Sequence, residues 1–374
     1  MTLLIAITVI TLWLAGFSGR DVLWAVYWPG VFLLQFAVIT FPWQAVPARL
    51  VMQMFVAGMS LVPVTIFLAQ IVLYRLITVT PIKEWLISPA VLGYHDLMTS
   101  VVAPITEETL KVAPVIILLF WYRNIIWRHI LGPIDVALLA CASGTGFAFT
   151  ENLLRITNNS VSSLGPDRII PVASPHLGPF YPFPNMVASG HYDTPTVWFG
   201  HPEITAALGL ALGISLFVRR KFRLWWLIPG VTLLWAIWDH FIFNYLGPTT
   251  TQAWTRILPP IDLWGRLLPY CFLAALLPAL YITSRVQRWY AGWDDEARFP
   301  GALAVIGRLP SDFRLLLPRI AALLRFYRWR CAVAYGFYHT NLSAPEEAIR
   351  QVPWLWDMRG KMLVSKPKTL SRAS

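Results

Sequence analysis

Charge is what this 374-residue chain has least of: Asp, Glu, Lys and Arg together make up 13% of it, about half the share usual in a soluble globular domain. That excludes a soluble fold, which needs more charge to cover its surface. Cysteine is scarce too. Cys141, Cys271 and Cys331 are odd in number, lack metal-ligand spacing, and the first two fall inside apolar runs, so a disulfide framework and a zinc finger are both ruled out. There is no HExxH pair, and no serine or cysteine sits in a nucleophile elbow, so covalent catalysis has no candidate residue. Internal repeats and low-complexity tracts are absent as well.

What is present is apolar and aromatic. The chain is 57% hydrophobic, with a mean hydropathy of +0.58, and it carries 19 Trp and 13 Tyr, whose rings settle where hydrocarbon meets water. This composition predicts an all-α, polytopic membrane bundle. Apolar runs long enough to span occur at about eight places: residues 3–17, 22–41, 52–74, 104–121, 132–154, 201–218, 224–246 and 264–283. Pro29, Pro63 and Pro229 lie inside spans, where neighbouring helices compensate the lost backbone bonds.

The net charge of +11 is concentrated at one end, since residues 285–374 hold 15 basic against 7 acidic side chains. The chain therefore divides into a membrane domain, 1–284, and a basic, partly helical tail, 285–374. We expect the tail to lie in the cytoplasm against anionic lipid, with no nucleic-acid partner. Its helix would start at Ser311, run through Leu315, Leu316, Ala321, Leu324 and Phe326 with Arg314, Arg325, Arg328 and Arg330 interspersed, and rest on the membrane surface. Arg123 and Arg128, then Arg219, Arg220, Lys221 and Arg223, then Arg285 and Arg288 fall on one side if the spans alternate. Basic loops stay in the cytoplasm, so both termini are expected there. The 155–200 loop is then extracytoplasmic, and residues 78–103 form another outer connection.

Ionisable residues at membrane depth are costly and seldom lack a partner or a task. Four clusters stand out. Span four opens with Thr106-Glu107-Glu108-Thr109-Leu110-Lys111, and span five closes with Gly144 to Asn152, including Glu151. Span six opens His201-Pro202-Glu203-Ile204-Thr205, and span seven ends with Asp239 and His240 through Asn244. Starts of even spans and ends of odd spans share a face, so all four clusters meet near one leaflet. Each also has a plainer explanation. Glu107 and Lys111 form an i,i+4 ion pair, Glu151 pairs with Arg155, His201 opens a helix before Pro202, and His240 with Asn244 is a hydrogen-bonded core pair. Gly144, Gly146, Gly209 and Gly213 allow close packing, and His176 and His191 in the outer loop are read as solvated.

Taken together, two acids and two histidines on converging helices suit hydrolysis of a peptide bond. A carboxylate in a low-dielectric site activates water, and imidazoles orient it and protonate the departing amine. A zinc site of Glu151, His201 and His240 is chemically possible, although no spacing demands it. A proton-coupled transporter is a second reading, disfavoured by the lack of repeats and by polar groups near one leaflet. A non-catalytic scaffold recruiting partners through its tail is a third.

The motifs Glu107-Glu108-x-x-Lys111, Gly146-Phe147-Ala148-Phe149-Thr150-Glu151-Asn152, His201-x-x-x-Thr205-x-x-x-Gly209 and His240-x-x-x-Asn244 occur in that order over residues 104–246. The set resembles the PrsW-like intramembrane proteases, relatives of the CAAX-processing (Abi or CPBP) membrane endopeptidases. The resemblance implies a glutamic-type, water-activating protease of a bacterial cell membrane, although metalloprotease descriptions also exist. It implies cleavage of a single-span substrate, such as an anti-sigma factor, on the extracytoplasmic side. On this reading Glu107 is the general base with Glu108 as the other candidate, Glu151 and His201 position the water, and His240 and Asn244 stabilise the oxyanion. Lys111 balances the carboxylates, with Asn152 and Thr205 in support. The CAAX relatives carry histidine where this chain has Glu151, and the long outer loop, Glu203 and the tail lie outside the resemblance.

Overall fold

The computed structural model describes residues 19–80, 97–121, 131–157, 186–187, 197–198, 200–219, 221–245 and 276–284, together with Arg328, Cys331 and Tyr335. The expected first span, most of the 155–200 loop, part of the 264–283 span and nearly all of the tail lie outside the described residues. Seven helices carry the argument: α1 (Gly19–Ile39), α2 (Ala48–Val79), α3 (Ala103–Lys111), α4 (Ala113–Trp121), α5 (Pro133–Thr157), α6 (His201–Val218) and α7 (Leu227–Tyr245). Residues 276–284 are also helical. Among the described residues the one strand pairing is a two-residue antiparallel pair, Met186–Val187 against Val197–Trp198. Helices α2, α5 (over Pro133–Leu154) and α6 are long and apolar enough to cross a bilayer.

Helix α5 is the axis of the bundle. Its most apolar stretch is 94% buried within the protein, against 22% for α2, and α1, α2 and α6 pack around it. Small residues make this possible. A Cβ at Gly144 would lie 2.6 Å from Thr205 Oγ1 and 2.7 Å from the His201 carbonyl oxygen, and one at Gly146 would strike the Phe55 carbonyl. The outer face of α2, with Leu61, Val64, Phe67, Leu68 and Val72 exposed, is the surface that hydrocarbon would cover.

Prolines break the backbone ladders, and polar side chains of neighbouring helices repair them. Pro63 has no N–H for the Met59 carbonyl four residues back, and Thr150 Oγ1 donates to that oxygen at 2.7 Å. Pro29 similarly leaves the Ala25 carbonyl, which accepts from Asn152 Nδ2 at 3.0 Å. The fourth span departs from the continuous helix expected over 104–121. It begins as a π-helical turn, Leu97–Val102, continues as α3, and restarts at Ala113 as α4. Pro114 cannot continue the ladder, and Val115 N–H donates to Val112 O at 3.0 Å. The Lys111 carbonyl then receives the Ser143 hydroxyl at 2.6 Å.

The opposite end of α5 is tied down by Asp135, whose Oδ1 accepts the N–H groups of Ala45 (2.7 Å) and Val46 (2.9 Å) and whose Oδ2 accepts that of Gly132 (2.9 Å). Part of the tail docks at this end. Tyr335 is fully buried, its hydroxyl donates to Thr283 Oγ1, and its ring packs where a Cβ on Gly132 would otherwise sit. Arg328, Cys331 and Tyr335 are helical, with Arg328 half-buried. Spaced three and four apart, they form one helical stripe. Apart from Arg328, the surface helix expected from Ser311 lies outside the described residues.

Candidate active site

Helix α3 presents Glu107, Glu108 and Lys111 on adjacent positions of its last turn and a half. They meet Glu151 from the end of α5, His201 from the first residue of α6 and His240 from the end of α7, so the four clusters converge on one end of the bundle. Lys111 is the hub. Its Nζ lies 2.7 Å from Glu108 Oε1, 2.6 Å from His201 Nδ1 and 3.4 Å from Glu107 Oε2. His201 Nε2 reaches Glu151 Oε2 at 2.6 Å, and His240 Nδ1 reaches Glu108 Oε1 at 2.7 Å. Phe147 walls the group: its ring stands edge-on to His201 with centroids 5.1 Å apart, and Lys111 Nζ lies 4.6 Å from its centre, a cation–π distance.

The two adjacent glutamates differ sharply. Glu108 is 1% exposed, and its Oε1 takes both the Lys111 and the His240 contacts. Glu107 is 15% exposed, and its Oε2 accepts no hydrogen bond among the described residues, facing His240 Nε2 at 4.0 Å. His201 and Glu151 are 17% and 25% exposed. The site therefore has a sealed floor of Glu108 and Lys111 and an accessible edge of Glu107, His201 and Glu151.

Three residues expected in support stand outside this cluster. Asn152 is committed to the Ala25 carbonyl that Pro29 leaves unpaired. Asn244 Nδ2 donates at 2.8 Å to the Thr99 carbonyl of the π turn, where Pro104, five residues on, has no N–H to give. Thr205 Oγ1 donates to the His201 carbonyl at 2.6 Å and so steadies the start of α6. Glu203, buried beside His201, folds back over the N-cap Gly200, in the manner of a capping-box glutamate. The sequence reading gave no part to Ser143, which holds the Lys111 carbonyl, because only the break at Pro114 creates its task.

A family model described as PrsW family intramembrane metalloprotease matches residues 46–277, well over half of the chain and every residue of the cluster. The chain belongs to the PrsW family. It is thereby a peptide hydrolase of the membrane, and the motifs that suggested the resemblance are the ones the fold gathers. No curated protein and no solved structure matches the chain.

The PrsW description implies a metal, and the donors present suit one. One ligand atom each from Glu107, Glu108, His201 and His240 lie within 4.8 Å of one another. Imidazole nitrogen and carboxylate oxygen are ordinary zinc ligands, and the Oε2 atoms of Glu107 and Glu108 are buried without hydrogen-bond partners among the described residues. The set differs from the Glu151, His201 and His240 expected from sequence, because Glu151 lies on the far side of the His201 ring, against Nε2.

Proposed function

We propose that this chain hydrolyses a peptide bond in a membrane-anchored, single-span protein, such as an anti-sigma factor, with Glu107 as the base that activates water. The observation that carries the reading is the 4.0 Å opening between Glu107 Oε2 and His240 Nε2. It is too wide for a direct hydrogen bond, and it lies just inside the accessible edge, bordered by a buried Glu107 oxygen that accepts no hydrogen bond among the described residues. A water held there gives one hydrogen to Glu107 Oε2 and one to His240 Nε2 and turns a lone pair toward the substrate carbonyl. As its oxygen bonds to the carbonyl carbon, its proton passes to Glu107, and Glu107 then hands it to the amine nitrogen as the C–N bond breaks. Glu108 holds the His240 ring through Nδ1, and Glu151 holds His201 at the site's edge. Were a metal resident, Glu107, Glu108 and His240 would hold it, since of the four gathered donors His201 already has Lys111 and Glu151 on its two ring nitrogens; such an ion would make bound water more acidic and polarise the carbonyl.

The cluster sits on the last turns of α3, which opens the fourth span, near the ends of α5 and α7 and at the start of α6; by the alternation of spans the basic runs 123–128 and 219–223 belong to the opposite face. With basic loops inside, this supports cleavage near the extracytoplasmic surface of a bacterial cell membrane, by a bundle of about eight spans with both termini in the cytoplasm. Alanine at Glu107, Glu151 or His240 is expected to abolish cleavage of a co-expressed single-span substrate at unchanged membrane abundance, and alanine at Glu108 to abolish it with reduced abundance, since it breaks the buried pair with Lys111. Full activity of the Glu107 and Glu108 double variant would end the proposal. A chelator that inactivates the enzyme, with recovery on adding zinc, would assign the metal form.

A further inference from the structure

Hydrogen-bond bookkeeping gives Lys111 a role beyond charge balance. A lysine ammonium has three donors and no acceptor, an ionised carboxylate only accepts, and a neutral imidazole has one of each. Lys111 Nζ lies 2.6 Å from His201 Nδ1, so that nitrogen is the acceptor and the ring proton sits on Nε2, donated to Glu151 Oε2 at 2.6 Å. Lys111 also donates to Glu108 Oε1 at 2.7 Å. The same oxygen accepts from His240 Nδ1 at 2.7 Å, so in the neutral ring Nε2 is the bare nitrogen. The hydrogen bonds thus run as one chain from Glu151 through His201, Lys111 and Glu108 to His240, and stop at the 4.0 Å opening before Glu107.

We propose that Lys111 is a positioning residue that fixes the proton of His201 on Nε2 and secures Glu108 as the acceptor for His240, so that the one ring nitrogen free to accept, His240 Nε2, faces Glu107. The proposal rests on the hydrolytic reading for its purpose but not for its geometry. With Lys111 in place both nitrogens of His201 are committed, and only His240 Nε2 and the unpaired carboxylate oxygens are left for water or a metal. The enclosing side chains support this: Lys111 is wholly buried, and its other neighbours are Glu107 Oε2, farther off at 3.4 Å, and the face of Phe147.

The test is ring-labelled histidine NMR on the full chain in lipid bilayers, where protonated and bare ring nitrogens have distinct shifts. His201→Gln and His240→Gln assign the signals among the seven histidines. The wild type should show His201 protonated on Nε2 alone and His240 on Nδ1 alone. In Lys111→Met the His201 signal should divide between both tautomers, while Lys111→Arg, also donor-only, should keep the Nε2 form. On a cleavable substrate, Lys111→Met should lower kcat at least about tenfold with KM within about twofold, the pattern of a lost chemical-step interaction. A His201 proton on Nδ1 in the wild type, or an unchanged single tautomer in Lys111→Met, would overturn the proposal. The wild-type spectrum decides even where Lys111→Met does not accumulate. A wild type that shows these tautomers yet cuts nothing would remove the hydrolytic reading and leave the Lys111 assignment standing.

Discussion

Exchanging each of the adjacent glutamates for glutamine separates catalysis from folding. Glu107→Gln preserves shape and removes only the more distant carboxylate partner of Lys111, at 3.4 Å, leaving Glu108 at 2.7 Å, so stability should stay within about 1 kcal/mol of wild type. Loss of the base should nevertheless slow cleavage by roughly 10²- to 10⁴-fold, about 3–5.5 kcal/mol on the barrier. Glu108→Gln acts on a different quantity. Glu108 and Lys111 are 1% and 0% exposed and 2.7 Å apart, and breaking a buried ion pair by removing one partner costs about 3–5 kcal/mol. Because Lys111 keeps Glu107 at 3.4 Å, the lower end of that range applies. Thermal unfolding of the two purified variants in detergent, beside cleavage of a single-span substrate, gives both readings. Glu107→Gln should melt with the wild type and be inactive, and Glu108→Gln should melt early. If Glu108→Gln melts with the wild type while Glu107→Gln melts early, the assignment of sealed floor and working edge is reversed.

Asp135→Asn should cost about 1–3 kcal/mol of stability, because one of its oxygens becomes a donor facing backbone N–H groups, while kcat of the folded fraction changes little; a wild-type melting midpoint would contradict this. Gly146→Val should destabilise by about 1–3 kcal/mol or more, since its side chain meets the Phe55 backbone where α2 and α5 cross, and near-wild-type melting would show that the helices can move apart. Truncation after residue 327 removes the half-buried Arg328 with the buried Cys331 and Tyr335 and should lower the melting midpoint, whereas truncation after residue 340 should not. Equal midpoints for the two would mean that the docked stripe contributes nothing to the fold.

The helices and the converging residues were legible because charge inside an apolar run stands out. The run 201–218 coincides with α6, and Glu107, Glu151, His201 and His240 could be placed on one face from the alternation of spans alone. What could not be read was which polar residue answers which backbone gap. Asn152 and Asn244 lie in the same motifs as the site residues, yet each serves a carbonyl that a proline distant in sequence leaves unpaired. Pro114 was visible, but the consequence of the break, a Lys111 carbonyl that Ser143 must satisfy, depends on how α3 crosses α5. Likewise nothing in the sequence pairs Tyr335 with Thr283 and with the space beside Gly132, which only the fold brings together.

The central claim is that the gathered glutamates and histidines hydrolyse a peptide bond, and mass spectrometry of a single-span substrate incubated with the reconstituted protein in ¹⁸O-labelled water tests it most directly. Two fragments are expected, the new C-terminal carboxyl carrying one heavy oxygen, and no such fragments with His240→Ala. An intact substrate, or the same fragments at the same rate from His240→Ala, would contradict it.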